Sequence, residues 1–247
     1  MLRFFVTPDR LQNDEVNLPD EVFHHLRVVL RRSEGEEILL LDGRGGVCRC
    51  RVDVLAKKGG MARVLERWQE VETAFPVSLL QGLPKGDKFD LVLQKGTELG
   101  IAAFTPVLSE RSVPIRGAER EDKRLQRWQR IIQEAARQCR RPRLPTLHAV
   151  QSLEDALASC QADLKLMLWE EESQPLAEVL SPRSPADVAI LVGPEGGFSA
   201  GEAAVARGFG FVPVRCGPRI LRSETAGFAV ASVLQYLYGD LGRGSHL

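Results

Sequence analysis

Short apolar runs separated by turn signals fill the chain up to about residue 70. The runs with strand-like patterns are RFFV, EEILLLDGRGG, VCRCRVDVLAKKGG and MARVLERW. Dipeptides typical of tight turns lie in or between them: Asp42-Gly43, Gly45-Gly46 and Gly59-Gly60. Short strands with turns at this spacing predict a small β-barrel.

One segment of this first part has helical periodicity instead. In PDEVFHHLRVVLR, the apolar residues Val22, Leu26 and Val29 recur at helical spacing. Pro19 and Asp20 suit the start of a helix. We therefore expect one helix to interrupt the barrel.

From about residue 75 strands and helices alternate. VSLLQGL is followed by KGDKFDLVLQKGTELG, and AAFTPVLS by a long helix that starts near residue 122. Later strands are LKLMLWE, VAILVGP and FVPVRCG, and the last helix is SETAGFAVASVLQYLYGDL. This order predicts an α/β domain with a mainly parallel sheet. The polar link QEVETAFP places the boundary, so we expect domains at residues 1–72 and 73–247.

The helix from residue 122 to about residue 139 has two distinct faces. Its apolar face consists of Leu125, Trp128, Ile132, Ala135 and Cys139. Its arginine face, with the residues that follow, consists of Arg127, Arg130, Glu134, Arg137 and Arg141. Such a face is either a solvated surface or a site for RNA phosphates. Because it continues into the basic, proline-stiffened sequence RRPRLP, we favour phosphate binding.

Composition narrows the function classes only in part. The 247 residues are 44% hydrophobic and 27% charged, with a net charge of zero, which argues against a generally basic nucleic-acid coat. Between residues 111 and 143, however, the sequence has eleven basic residues and only four acidic ones. No run approaches the roughly 18 apolar residues of a membrane helix, and no leader is visible. We expect a cytoplasmic protein that does not bind a membrane.

The cysteines indicate neither a disulfide framework nor a metal site. There are five, at positions 48, 50, 139, 160 and 216. Their number is odd, and no second Cys/His pair at ligand spacing completes a zinc site with Cys48 and Cys50. We expect reduced thiols and no metal.

The most distinctive sequence is the glycine turn LVGPEGG, residues 191–197, which follows an apolar run and precedes a helix. No lysine follows Gly197, as a P-loop would require. The glycine spacing also differs from the dinucleotide fingerprint, and Glu195 stands where a pyrophosphate would come close. A carboxylate there suits a cofactor that is not a polyphosphate.

Four linked motifs carry a family resemblance over nearly the whole chain: GDKFDLVLQKGTELG, RWQRIIQEAARQCRRPRLP, LVGPEGGFSAGE and CGPRILRSETA. Together they resemble the RsmE family of 16S ribosomal RNA methyltransferases. That resemblance implies methylation of uridine N3 with S-adenosylmethionine as cofactor. It also implies the SPOUT class, in which a PUA-like barrel precedes an α/β domain tied into a trefoil knot.

The resemblance further implies a cofactor pocket made by the knotted loops, mostly with backbone groups, and a homodimer through the last helix. The implied cofactor residues are Leu168, Trp169, Glu170, Leu191, Val192, Gly193, Pro194, Glu195, Gly196, Gly197, Cys216, Gly217, Ile220, Leu221, Arg222, Ser223, Thr225 and Ala226. In that helix Gly227, Ala229, Ala231 and Ser232 would allow a close crossing, although core packing explains small residues equally well.

Two catalytic candidates lie near this pocket. Arg222 could stabilise the anion that uridine becomes when N3 loses its proton, or it could pair with Glu224 or Glu195. Glu195 could act as a base, hold the turn or balance the sulfonium. The barrel residues His24 and His25 suit packing or RNA contact better than catalysis.

Basic residues of both parts are the candidate contacts to 16S rRNA and the small ribosomal subunit. They are Arg27, Arg31, Arg127, Arg130, Arg137, Arg140, Arg141 and Arg143. Two other functions compete with uridine-N3 methylation. One is methylation of another RNA atom, such as a ribose hydroxyl or a guanine of tRNA, and the other is RNA binding without catalysis.

Overall fold

The computed structural model of the chain describes residues 1–56, 59–112, 118–171, 173–180 and 184–242. The chain forms two compact units. The first contains Met1–Glu72 and Ala136–Leu144, and the second contains Thr73–Ala135 and Pro145–Leu247. Residues 136–144, which the sequence-based boundary assigns to the second domain, thus pack within the first unit.

The first unit is built on one five-stranded sheet. Its strands are β1 (Leu2–Phe5), β2 (Glu15–Asn17), β3 (Glu37–Leu41), β4 (Gly46–Ala56) and β5 (Gly59–Gln69). They lie in the order β1-β3-β4-β5-β2, with β1 parallel to β3 and all other neighbours antiparallel. The four predicted strands are confirmed. The sequence did not reveal β2, because three residues are too few to show an alternation.

Cys48 and Cys50 lie on the inner face of β4, two residues apart, and both are buried in the core of the first unit. Burial raises the pKa of both thiols, and that of Cys50 to about 12. Both side chains are therefore neutral packing groups near pH 7. No group of three potential metal ligands occurs among the residues that the structure describes.

The predicted helix of the first unit is present but irregular. Helix α1 (Asp20–His24) passes directly into a wider π-type turn at His25–Val29. Val22 and Leu26 are buried as expected, whereas Val29 is 57% exposed, so its assignment to the same face was wrong. The wider turn adds a residue to the repeat and rotates Val29 away from the core.

The second unit contains an eight-stranded sheet. Its strands are β6 (Val77–Gly82), β7 (Ala103–Leu108), β8 (Thr146–Leu147), β9 (Gln151–Ser152), β10 (Leu164–Leu168), β11 (Gln174–Pro175), β12 (Val188–Val192) and β13 (Val212–Arg215). The order is β11-β13-β10-β12-β6-β7-β8, and β9 also pairs with β7. Every pairing in this sheet is parallel, which confirms the predicted sheet type.

Helices cover both faces of this sheet. The remaining helices are α2 (Lys88–Glu98), α3 (Ala118–Cys139), α4 (Leu153–Ser159), α5 (Leu176–Leu180), α6 (Ala200–Gly208) and α7 (Ser223–Leu237). In β12, Leu191 joins a buried cluster with α4 and α6, whereas the next residue, Val192, lies near Gly227 of α7. Successive strand residues point to opposite faces, so α7 lies across the sheet from α4 and α6.

Helix α3 begins four residues earlier than the sequence predicts and has 22 residues. Its predicted apolar face is confirmed: Trp128, Ile132 and Ala135 are buried, and Trp128 packs edge-on against Phe89 with ring centroids 4.6 Å apart. Across the part of the chain that the structure describes, no helix has the length and apolarity needed to cross a membrane.

Two helical glycines allow a test of how tightly the second unit is packed. A Cβ on Gly96 of α2 would lie 2.7 Å from the ring of Phe104, whereas a Cβ on Gly208 of α6 would meet nothing within 4 Å. We expect Gly96→Ala to lower the free energy of unfolding by about 1–3 kcal/mol through overpacking. Gly208→Ala should raise it by up to about 1 kcal/mol, because alanine is the better helix former. Urea denaturation of both variants measures the difference, and equal effects would contradict the packing at Gly96.

Candidate active site

Three loops of the second unit meet at one edge of its sheet. Strands β10, β12 and β13 are adjacent and parallel, so their carboxyl ends emerge on the same side. The loops that follow them, residues 169–171, 193–197 and 216–222, enclose a cavity of about 910 Å³. Crevices at this edge are where parallel α/β sheets bind ligands.

The glycine turn that follows β12 is a tight, hydrogen-bonded loop. The N–H of Gly197 donates to the carbonyl of Pro194 at 2.9 Å, and Gly197 has φ +68°, a conformation that glycine adopts without strain. The end of β6 approaches closely, since a Cβ on Gly82 would lie 2.6 Å from Cδ of Pro194. The amide of Gln81 donates to the carbonyl of Gly193 at 3.3 Å. Two residues at the end of β6 thus hold the turn in place.

Glu202 anchors the helix that begins after the turn. Ser199 caps α6 by accepting from the N–H of Glu202 at 3.2 Å, and the Glu202 carboxylate accepts in return from the N–H of Ser199 at 2.9 Å. The same carboxylate accepts from the N–H of Glu110 at 2.8 Å. The loop after β7 is thereby tied to the turn, and Arg111 of that loop donates to the carbonyl of Gly196.

The carboxylate of Glu195 is hydrogen-bonded to the segment between β6 and α2 and to the first residue of α2. It accepts from Nζ of Lys88 at 2.8 Å and from the N–H of Lys85 at 3.1 and 3.2 Å. Burial acts to raise its pKa, but the hydrogen bonds from Lys88 and from backbone N–H groups outweigh it, and the pKa is lowered. Glu195 is therefore ionised near pH 7 and its oxygens are occupied, so holding the turn is the role that the geometry favours over that of a base.

Arg222 and Glu224 stand at the start of α7 and differ in exposure. The Arg222 side chain is 82% exposed, and Nη1 lies 3.9 Å from Oε1 of Glu224, at the limit of an ion pair. Glu224 is buried, 3.8 Å from Nζ of Lys88, and accepts from Oγ of Ser223 at 3.4 Å. The guanidinium of Arg222 can therefore turn toward a ligand at little cost.

Most of the predicted cofactor residues line this cavity. They are Leu168, Trp169, Glu170, Val192, Gly193, Pro194, Glu195, Gly196, Gly197, Cys216, Gly217, Ile220, Leu221, Arg222, Ser223 and Ala226. Two of the predicted residues do not: Leu191 is fully buried in the core, and Thr225 lies outside the lining. Leu191 points to the sheet face that packs against α4 and α6, because alternate strand residues face opposite sides.

Several lining residues were missed by sequence reasoning. They are Lys88, Arg111, Glu171, Phe198, Val214, Arg215 and Glu224. Most of these are sequence neighbours of predicted residues, so a wider window on each loop would have included them. Lys88 and Arg111 come from distant segments, and only the sheet topology brings them to the cavity.

Comparison with known proteins identifies the family. A family model described as the RNA methyltransferase domain matches residues 71–235, and one described as the RNA methyltransferase PUA domain matches residues 18–64. The ribosomal RNA small subunit methyltransferase E of Synechocystis is 36% identical over 229 residues, covering 91% of this chain and 74% of that protein.

The chain belongs to the ribosomal RNA small subunit methyltransferase E family. Two solved structures are similar over nearly the full length. A methyltransferase E from Neisseria gonorrhoeae, bound to S-adenosylmethionine, is 34% identical with a TM-score of 0.88, covering 98% of this chain and 99% of that one. A methyltransferase of Legionella pneumophila, in complex with the same cofactor, is 32% identical with a TM-score of 0.90, covering 97% and 99%. The predicted α/β fold with a PUA-like N-terminal part is confirmed, and the knot stays a prediction.

One arginine of the predicted RNA-binding set, Arg141, is buried and does not lie on an exposed arginine face. Arg141 is 8% exposed, and its Nε lies 3.2 Å from Oε2 of Glu72. Helix α3 ends at Cys139, and Arg140 takes a left-handed conformation with φ 65°. The helical rhythm therefore stops before Arg141, and its assignment to the arginine face was wrong.

The other arginines of that set vary in accessibility. Arg127 is exposed but pairs with Asp90 and, at 3.1 Å, with Asp87. Arg27 donates to the carbonyl of Ala56. The exposed members are Arg31, Arg130, Arg140 and Arg143, and Arg137 is half-buried. RNA binding by these residues stays a prediction.

The ion pair between Lys88 and Glu195 leads to a prediction about the pKa of Glu195. Lys88→Met should raise the pKa of Glu195 toward the ordinary 4.5, because it removes a donor to the carboxylate. Lys85→Met is the matched control, since its backbone N–H remains and the pKa should not move. NMR titration of the glutamate carboxyl carbons measures both variants.

The lowered pKa of Glu195 also makes the stability of the folded chain depend on pH. A carboxyl whose pKa is lowered in the folded state stabilises that state at neutral pH, and the contribution disappears as the pH falls through the folded pKa. Lys88→Met should therefore reduce the acid dependence of stability. Identical Glu195 titrations in both variants would show that Lys88 does not hold the turn.

Proposed function

We propose that this chain transfers a methyl group from S-adenosylmethionine to N3 of a uridine in the 16S rRNA of the small ribosomal subunit. The observation that carries the proposal is the cavity of three loops at the carboxyl edge of the sheet, in a chain of this family whose Neisseria relative binds S-adenosylmethionine. We further propose that it acts in the cytoplasm, which is supported by the proposed ribosomal substrate.

The cavity suits the chemistry of this cofactor. Its wall combines exposed backbone at the glycine turn with the apolar side chains of Leu168, Ile220 and Leu221. Such a wall matches adenine, which is apolar on its faces and polar at its edges. Glu170 and Glu171 are exposed carboxylates at the same cavity, and they complement the positive sulfonium and ammonium groups.

The bound cofactor supplies an activated methyl group, so the chain mainly aligns and desolvates the uridine. We assign to Arg222 the role of placing positive charge beside O2 or O4 as N3 loses its proton, because its guanidinium is exposed and only weakly paired. We assign to Glu195 the role of holding the turn. The base that takes the N3 proton is not assigned.

Methyl transfer by the purified chain tests the function directly. With small subunits from cells that lack this protein, S-adenosylmethionine should yield 3-methyluridine, detected by nucleoside mass spectrometry. Gly196→Val should abolish both the product and cofactor binding in calorimetry, because even a Cβ there would lie 3.0 Å from Cδ of Arg111. Gly208→Val, in open space, is the control.

The same assay distinguishes the alternatives and tests Arg222. A methylated ribose or a tRNA guanine as the only product would assign another target, and binding of ATP without S-adenosylmethionine would refute the cofactor. Arg222→Ala should lower kcat by about 10²-fold while cofactor affinity stays unchanged, as for the loss of one charge-stabilising group. Arg219→Ala, from the same exposed loop, should have a much smaller effect on kcat.

We further propose a homodimer through the outer face of α7. That face exposes large apolar groups, with Val233 at 41%, Tyr236 at 66% and Leu237 at 50%. Two of the small residues of α7 serve the core instead: Ala231 is fully buried, and a Cβ on Gly227 would lie 2.9 Å from Leu79. An exposed apolar face on a helix favours association with a second copy.

Light scattering tests the dimer. The wild-type chain should show twice the mass of one chain at micromolar concentration, and Tyr236→Arg should reduce it to a monomer by placing a charge in the buried interface. Val205→Arg, at an exposed position of α6, should leave the mass unchanged. A monomeric wild-type chain would rule the interface out.

A further inference from the structure

The first unit contains a small pocket that shares no residue with the cavity of the second unit. Its volume is about 280 Å³. The residues that line it come from the start of the chain, from the irregular helix and from residues 136–144: Met1, Leu2, Arg3, Phe4, His25, Leu30, Arg137 and Arg140. Three arginines and a histidine line it, and none of these lining residues is acidic.

The cationic side chains of this basic pocket are held in place. Arg3 donates from Nη1 to the carbonyl of Arg140 at 2.9 Å, and its Nη2 lies 3.5 Å from Oε2 of Glu70. The guanidinium of Arg137 lies 5.9 Å from the ring centroid of Phe4, with Nη1 3.3 Å from Nε2 of His25. Side chains fixed in this way lose little conformational entropy when they bind a ligand.

Arg140 contributes the most exposed cation, from an unusual backbone conformation. Its φ of 65° lies in the left-handed region, which non-glycine residues seldom occupy. The hydrogen bond from Arg3 to its carbonyl holds this conformation. Strained residues that the surroundings hold in place occur preferentially at functional sites, and here the strain places an exposed arginine at the rim of a basic pocket.

We propose that the basic pocket binds a phosphate group of the substrate RNA backbone, an inference that rests on the proposed function. Its volume is below the roughly 300–1,000 Å³ of ordinary small-molecule sites, which suits one phosphate with part of its ribose better than a whole nucleotide cofactor. An arginine guanidinium can donate two parallel hydrogen bonds to two oxygens of one phosphate. A phosphate bound there holds the RNA strand that carries the target uridine.

Salt-dependent RNA binding tests the pocket in the full-length protein. Fluorescence anisotropy with a labelled single-stranded 16S rRNA fragment should give a log–log salt slope that is shallower by about 0.7 in Arg140→Ala, since each lost phosphate contact removes about that much. Arg51→Ala removes an exposed charge of the same unit that pairs with Asp53, and its slope should equal that of the wild type. An unchanged slope in Arg140→Ala would overturn the proposal.

Competition by inorganic phosphate distinguishes specific binding at this pocket from general screening of charges by salt. At constant ionic strength, phosphate should weaken RNA binding by the wild type more than chloride does, and Arg140→Ala should lose this excess. Persistence of the excess in the variant would place the phosphate elsewhere and overturn the pocket.

Parallel assays of methyl transfer separate this inference from the proposed function. If the wild type methylates RNA and Arg140→Ala binds it with the wild-type slope, the pocket is wrong and the function stands. If the slopes differ but no methyl group is transferred, the pocket stands and the function fails. A wild-type chain that does not bind RNA would overturn both.

Discussion

The candidate active site depends on the parallel register of three neighbouring strands. Leu168, the last residue of β10, pairs with Val192 at the end of β12 and with Val214 near the end of β13. Loops from three separate parts of the sequence therefore start at the same level of the sheet and form the walls of one cavity. A slip of one residue in this register would exchange inward and outward side chains and separate the loops.

Within that frame, the charges near the turn divide into two groups. Lys88 and the backbone N–H of Lys85 donate to the carboxylate of Glu195, and these hydrogen bonds tie the glycine turn to the segment that leads into α2. Arg222 is exposed and weakly paired, so it can respond to charge that develops during a reaction. Glu195 is therefore held by hydrogen bonds, whereas the side chain of Arg222 can move, although both residues line the same cavity.

The elements of the second unit could be predicted because their signals are local. Continuous apolar runs marked its principal strands, and the small residues after β12 marked the turn. The edge strands β8, β9 and β11 escaped prediction because each has only two residues. The loops of the site could be placed by resemblance, but Lys88 and Arg111 reach the cavity only through tertiary contacts that no local pattern records.

In the first unit, by contrast, several features could not be predicted from local sequence patterns. Residues 136–144 follow a helix in the sequence, yet they pack with residues 1–72, so a boundary placed by composition could not include them. The exposure of Val29 and the burial of Arg141 have a common origin. In both cases a regular helical repeat was extended past the point where the backbone leaves it.

The topology of the second sheet also determines when the cavity can exist during synthesis. Strand β12 pairs with β6, and Val188 lies opposite Val77, so the central pairing joins segments more than a hundred residues apart. The last wall of the cavity comes from residues 216–226. Because pairing between distant segments is slow and costly, a nascent chain lacks a complete cofactor cavity until residues 216–226 have been synthesised.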